Sequence, residues 1–156
     1  MLSMNIKSTV VKLMTLVVCA SLFSFSSGMG GDRYQIYLNK KLLLEQFVSQ
    51  SSGVKTLQLN QKDYNGQIDI YYSHCGETGK ARNITIKDGQ NQILKEWHFS
   101  DGDKTAMTCK VKDIVNLQGK NNKLNLYYSS QQLPKARLLA SIVVVNDNKT
   151  ATLLKK

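Results

Sequence analysis

The chain has 156 residues and a formal net charge of +10 at pH 7. This length suits one domain with a real core and argues against a second domain. The positive charge is spread over every segment without a run of five or six lysines, which disfavours a dedicated nucleic-acid-binding arm.

Residues 1–28 have the pattern of an export signal. Lys7 and Lys12 form a positive start, residues 13–25 are apolar, and the small residues 26–28 precede a polar body. A helix that spans a bilayer needs about 20 apolar residues, and this run is shorter. The pattern therefore predicts a cleaved signal peptide at 1–28, a single mature domain at 29–156 and no transmembrane segment in the mature chain.

Cys19 loosely matches a bacterial lipoprotein cleavage box. The residue before a lipidated cysteine should be small, but Val18 is not, and the apolar run continues to Phe25. The sequence therefore favours a periplasmic or secreted protein over one anchored by a lipid at Cys19.

After the signal, short β-rich runs alternate with turn residues, and no sustained helical period occurs. Asn39-Lys40 marks a tight turn between the first two runs, because asparagine tolerates the left-handed conformation that such turns need. The predicted strands are residues 34–38, 42–47, 55–59, 68–74, 83–87, 92–99, 107–112, 124–129, 138–145 and 150–154.

An internal echo recurs at a spacing near 56 residues. Residues 54–59 are echoed at 111–117, residues 68–73 at 124–129, and Lys80-Ala81-Arg82 at 135–137. Two similar strand-loop-strand units that each bury one face would stack about 10 Å apart. The sequence thus predicts an all-β fold, an antiparallel β-sandwich of about 8–10 short strands.

Alternation divides the echoed strands into two faces. Ile68, Ile70 and Tyr72 share one face, as do Leu124, Leu126 and Tyr128, and these are expected in the core. Tyr71 and Tyr127 then point the other way, either as a platform for a sugar ring or as side chains that pack across the strands.

Cys75 and Cys109 remain after removal of the signal, and an even count in an exported chain predicts a disulfide. On the chain-entropy view, such a bridge stabilises by roughly 3–4 kcal/mol. The alternatives are two buried free thiols or a reactive thiol at Cys75.

The two Lys-Ala-Arg segments follow equivalent predicted strands. Lys80, Arg82, Lys135 and Arg137 are therefore expected to gather at one end of the sandwich as a cationic rim. Such a rim suits an anionic glycan, a lipid head group or an acidic exported protein.

Catalytic and metal patterns are weak. His74 and Cys75 are neighbours on a strand and point to opposite faces, so His74 cannot simply activate the thiol, and His98 would approach only through the fold. Asp101 and Asp103 are too few for a calcium site. The sequence therefore predicts no catalytic residues, no metal and no cofactor.

The segments YLNKKLL at 37–43, YSHCG at 72–76 and LYYSS at 126–130 resemble small exported bacterial proteins of uncharacterised function. The resemblance implies a periplasmic or secreted setting and transfers no catalytic residue. The sequence favours an exported, non-enzymatic binding or scaffold domain. Its alternatives are a thiol-dependent or hydrolytic enzyme centred on Cys75, and an inhibitor or assembly partner that uses an exposed strand edge.

Overall fold

The computed structural model describes residues 31–48, 53–103, 105–117 and 123–145. The predicted signal peptide, Cys19 and the strand predicted at 150–154 lie outside these ranges. Within them, no helix is long and apolar enough to cross a membrane.

The described residues form nine strands, one short α-helix and one 3-10 helix, Gln61–Asp63. The prediction of an all-β chain is therefore confirmed. The strands are β1 (Arg33–Leu38), β2 (Lys41–Phe47), β3 (Lys55–Asn60), β4 (Gln67–Ser73), β5 (Arg82–Lys87), β6 (Ile93–Phe99), β7 (Met107–Lys110), β8 (Lys123–Ser130) and β9 (Leu133–Val145), and α1 is Val111–Val115.

The strands form two sheets. The four-stranded sheet has the order β2-β1-β4-β7, and the five-stranded sheet has the order β3-β9-β8-β5-β6. Every pairing is antiparallel except that of β3 with β9, which is parallel. The five-stranded sheet is therefore mixed, which the sequence pattern did not predict.

Both sheets contribute to one buried core. Ile68, Ile70 and Tyr72 of β4 are fully buried, and Leu124, Leu126 and Tyr128 of β8 are at most 1% exposed. The predicted core face of the echoed strands is therefore confirmed. Trp97 of β6 packs partly buried against this core, beside the alternating exposed positions Glu96 and His98.

The first hairpin turns at Asn39 and Lys40, as predicted. Both residues have positive φ angles, 51° and 69°, and this pair of left-handed residues is typical of the tight turn that matches the twist of two antiparallel strands. The turn directs Lys40 toward the end of the four-stranded sheet where β4 begins.

The echoed segments are not equivalent units, which corrects the prediction. Residues 55–60 form β3, whereas their echo forms α1, since Val111 and Ile114 are buried three residues apart on one helical turn. The predicted strand at 107–112 accordingly ends at Lys110. In addition, β4 and β5 lie in different sheets, whereas β8 and β9 form a hairpin in one sheet.

The repeated Lys-Ala-Arg tripeptide adopts two conformations. Ala81 has a φ of +48° and ends the loop before β5. Ala136 lies inside β9, because the segment predicted as a loop at 133–137 continues the strand. The same tripeptide therefore contains a left-handed residue before β5 and is extended within β9.

This difference predicts opposite effects of one substitution. Ala81→Gly should raise the free energy of unfolding by about 0.5–1 kcal/mol, because glycine adopts the left-handed region without the cost to a Cβ. Ala136→Gly, the matched control, should lower it by a similar amount, because glycine weakens a strand. Urea unfolding of both variants measures the two changes, and a destabilised Ala81→Gly chain would contradict the assigned conformation.

Candidate functional site

Six polar and aromatic residues meet where β1 and β9 begin and where β4 and β8 end. We call them the Asp32 cluster: Asp32, Tyr72, His74, Tyr128, Ser130 and Arg137. The Tyr72 hydroxyl donates to Asp32 Oδ2 at 2.7 Å, and Arg137 Nη1 lies 3.2 Å from the same oxygen. Arg137 Nη1 also contacts the Tyr72 hydroxyl.

Asp32 is the charged centre of this cluster. Burial alone would raise the pKa of its carboxyl, but hydrogen bonds from Tyr72 and from the Cys75 amide, with the charges of His74 and Arg137, outweigh burial. The pKa of Asp32 is therefore lower than its ordinary value of 3.8. Burial and the bond to Asp32 raise the pKa of Tyr72, so its hydroxyl remains a donor.

The aromatic rings of the cluster join the two sheets. Tyr72 of the four-stranded sheet stacks on Tyr128 of the five-stranded sheet, with ring centroids 4.1 Å apart. Tyr34 lies parallel to Tyr72 at 6.2 Å and donates its hydroxyl to the Leu139 carbonyl of β9 at 2.9 Å. Polar tips and stacked faces together fix the distance between the sheets at this end.

Asp32, His74 and Ser130 are arranged in space like the carboxylate, imidazole and hydroxyl of a hydrolase catalytic triad. His74 Nδ1 lies 3.6 Å from Asp32 Oδ2, and His74 Nε2 lies 3.1 Å from Ser130 Oγ. However, Ser130 is only 6% exposed and its hydroxyl accepts the Leu133 amide, while the Tyr128 hydroxyl also contacts Nε2 at 3.0 Å. The Ser130 hydroxyl is therefore largely buried and already shares His74 Nε2 with the Tyr128 hydroxyl.

The residues predicted as a cationic rim do lie near one another, at the end of the five-stranded sheet that carries the Asp32 cluster. Arg82, however, is 1% exposed and donates to the carbonyls of Ser100 and Thr105 and to the Thr105 hydroxyl. Arg137 is paired with Asp32. Of the four residues predicted for the rim, only Lys80 and Lys135 are exposed. Two of the four predicted cations are therefore available to a ligand.

Tyr71 and Tyr127 are both partly exposed, as expected, but they have different neighbours. The ring of Tyr71 meets Tyr37 edge to face at 5.5 Å. The ring of Tyr127 is covered by the ammonium group of Lys87, 4.8 Å from its centroid.

The predicted disulfide is wrong in this structure, where Cys75 and Cys109 are both free. Cys109 pairs in register with Ile68, seven residues before Cys75, and a strand rises about 3.3 Å per residue, so the two lie on the order of 20 Å apart. A bridge requires Cα atoms within about 7 Å. Burial, with the charge of Asp113, raises the pKa of Cys109 to about 12, so this thiol is no nucleophile.

A second site, which the sequence did not indicate, lies at the opposite end of the four-stranded sheet. It is a cavity of about 500 Å³, and we call it the lysine pocket. Its lining comes from the first hairpin turn, the segment before β4, and the end of β7 with α1. The lining residues are Asn39, Lys40, Tyr64, Asn65, Gly66, Gln67, Lys110 and Lys112.

No protein-family description matches this chain, and no curated protein is significantly similar. Among the residues that the structure describes, no group of three or more His, Cys, Asp or Glu is placed to hold a metal ion. The site residues are therefore judged on their geometry.

The lowered pKa of Asp32 predicts acid sensitivity. A carboxyl with a lowered folded pKa contributes stability above its unfolded pKa, and that contribution is lost as pH falls through the folded pKa. Asp32→Asn should lower the free energy of unfolding by about 1–3 kcal/mol at neutral pH and flatten its decline as pH falls below the ordinary carboxyl pKa of 3.8. Glu77→Gln, which removes an exposed carboxylate, is the control for urea unfolding across this range. If the free energy of unfolding falls equally with decreasing pH in wild type and in Asp32→Asn, the role assigned to Asp32 is contradicted.

The two thiols should differ in accessibility. Cys75 is exposed and Cys109 is 1% exposed. Alkylation of the native protein, followed by peptide mass spectrometry, should modify Cys75 and leave Cys109 until denaturant is added. A peptide pair linked through Cys75 and Cys109 would contradict the structure.

Proposed function

We propose that this chain is an exported, non-enzymatic binding domain in which the two sheets pack as a β-sandwich and the lysine pocket holds an anionic ligand. Export is supported by the signal-like residues 1–28 and by the resemblance to small exported proteins. The sandwich is supported by the shared core and by the stack of Tyr72 on Tyr128.

The lysine pocket carries the proposal because its cations have no counter-ions. Lys40, Lys110 and Lys112 are exposed, and no ion pair joins any of them to a carboxylate in the described part of the chain. Three ammonium groups around one cavity repel one another and create a positive potential there. An anion that enters the cavity relieves this repulsion.

The nearby carboxylates are already engaged elsewhere. Asp113 pairs with Lys95 at 3.4 Å, and Asp63 accepts the Asn60 amide at 2.8 Å. Asp69 is 8% exposed and accepts bonds from the Thr108 hydroxyl and the Gln67 amide group. Asp113 is thus neutralised by Lys95, whereas Asp63 and Asp69 keep their negative charge and are outnumbered by the three lysines of the pocket.

The wall of the pocket is held by backbone bonds. The Asn39 amide donates to the Gln67 carbonyl at 3.0 Å, and the Gln67 amide donates back to Asn39 Oδ1 at 3.0 Å. The Val111 amide donates to the Gly66 carbonyl at 3.0 Å, which ties the start of α1 to the same wall. A preorganised wall lowers the entropic cost of holding a ligand.

The Asp32 cluster supports a non-enzymatic role. Both ring nitrogens of His74 face partners within the cluster, so the ring is not available as a base for Cys75. His98, the other candidate base, contacts Asn83 through Nδ1 at 2.6 Å on the outer side of β6. Neither histidine is arranged to activate the exposed thiol.

Removal of two pocket lysines tests the proposal. Lys110→Gln combined with Lys112→Gln should weaken binding of polygalacturonate, or of vesicles that contain phosphatidylglycerol, by about tenfold or more. Lys80→Gln combined with Lys135→Gln removes the same charge from the other end of the fold and should change binding less than about twofold. Binding should also weaken as salt rises, because salt screens the exposed charges.

Calorimetry for the polysaccharide and flotation for the vesicles give the affinities, and circular dichroism checks that the variants fold. If wild type binds neither probe, or if both double variants lose affinity equally, the lysine pocket is not the binding site.

A further inference from the structure

A shallow groove of about 330 Å³ crosses the four-stranded sheet on the face opposite its core. It lies where β1 and β4 pair, with Gln35 opposite Tyr71 and Arg33 opposite Ser73. We call it the Tyr71 groove, and it is lined by Arg33, Tyr34, Gln35, Tyr71, Ser73 and Asp103. It shares no residue with the lysine pocket.

The Tyr71 ring is partly exposed and has one aromatic neighbour. An edge-to-face contact with Tyr37, at 5.5 Å and 77°, uses at most one face of each ring. No cation covers Tyr71 in the described residues, in contrast to Tyr127 beneath Lys87. Tyr71 therefore presents a partly exposed aromatic surface within the groove.

Hydrogen-bond donors and hydrogen-bond acceptors both lie around the Tyr71 ring. Asp103 uses one carboxylate oxygen to accept the Ser73 hydroxyl at 3.2 Å, and its second oxygen is left as an acceptor. Arg33 uses Nη2 for Glu45 at 2.7 Å and retains further N–H donors. The Gln35 amide, which offers both a donor and an acceptor, makes no side-chain hydrogen bond to another described residue.

This combination matches the chemistry of a sugar ring. A pyranose has an apolar face of C–H groups that stacks on an aromatic ring, and hydroxyls at its edge that both donate and accept. Because Glu45 already balances the charge of Arg33, the remaining charge of the groove is that of Asp103, which does not favour an anion. Its volume lies at the small end of ligand sites, which suits one or two sugar units.

We propose that the Tyr71 groove binds a sugar unit of a neutral oligosaccharide. The C–H face of the sugar lies on Tyr71, and its hydroxyls bond to Gln35, Arg33 and Asp103. This site goes beyond the anionic ligand proposed for the lysine pocket, and either proposal can fail without the other.

The test is a titration of the uniformly ¹⁵N-labelled wild-type chain with the neutral sugars cellohexaose, hexa-N-acetylchitohexaose and maltohexaose, followed by NMR. At least one of these should bind with a dissociation constant of about 10 mM or tighter. The largest amide shifts should fall at Gln35, Tyr71 and Ser73, and those of Lys110 and Lys112 should be small.

Variants identify the ring as the cause. Tyr71→Ala should weaken binding at least about tenfold, whereas Tyr71→Phe, which retains the ring, should weaken it less than about threefold. Tyr127→Ala removes the matched tyrosine of the other sheet and should leave affinity unchanged.

Three results would overturn the proposal. They are the absence of binding by all three sugars, shifts located away from the groove, and equal affinity of folded Tyr71→Ala and wild type. If Tyr71→Ala does not fold, the shift map of the wild-type chain decides the question.

Discussion

Tyr72 and Tyr128 stack at 4.1 Å between the two sheets, and the polar tip of each ring needs a partner away from water. Tyr72 donates to Asp32 and Tyr128 contacts His74, so the stack requires the rest of the Asp32 cluster around it. The cluster in turn fixes the beginning of β1, the end of β4 and the start of β9. One aromatic contact with its hydrogen-bond partners therefore sets how the sheets meet at this end.

Three of the most chemically suggestive side chains in the sequence lie in or beside this cluster. His74, Arg82 and Arg137 lie close together, but each is engaged by carbonyls, hydroxyls or a carboxylate of the chain itself. Buried polar groups are as a rule hydrogen-bonded in this way. The free charges and the uncovered ring lie elsewhere, in the lysine pocket and the Tyr71 groove.

Local sequence patterns correctly predicted the features that depend on a few neighbouring residues. Alternation placed Ile68, Ile70 and Tyr72 in the core, and Asn39-Lys40 marked the hairpin turn, because both follow from backbone geometry over a few residues. The same approach failed for Ala81 and Ala136, whose neighbours are identical in sequence. There the hydrogen bond from the Ala81 amide to Asp101, 20 residues away, helps to hold the left-handed turn.

Features that depend on contacts between distant segments could not be predicted from local sequence patterns. The parallel pairing of β3 with β9 joins residues 55–60 to residues 140–145, and no local signal marks it. The lysine pocket likewise collects Lys40, Tyr64 and Lys110 from three separate segments. Lysines scattered along a sequence look like solubilising charge until the fold brings three of them around one cavity.

A double-mutant cycle on Tyr72 and Tyr128 tests most directly whether their contact joins the sheets. Tyr72→Leu, Tyr128→Leu and the double variant are compared with wild type by urea unfolding, so that effects of each residue on its own partners cancel. Direct stacking across the sheets predicts a coupling energy of about 0.5–1.5 kcal/mol between the two positions. Additive losses, with a coupling below about 0.3 kcal/mol, would contradict a structure in which the sheets meet through this pair.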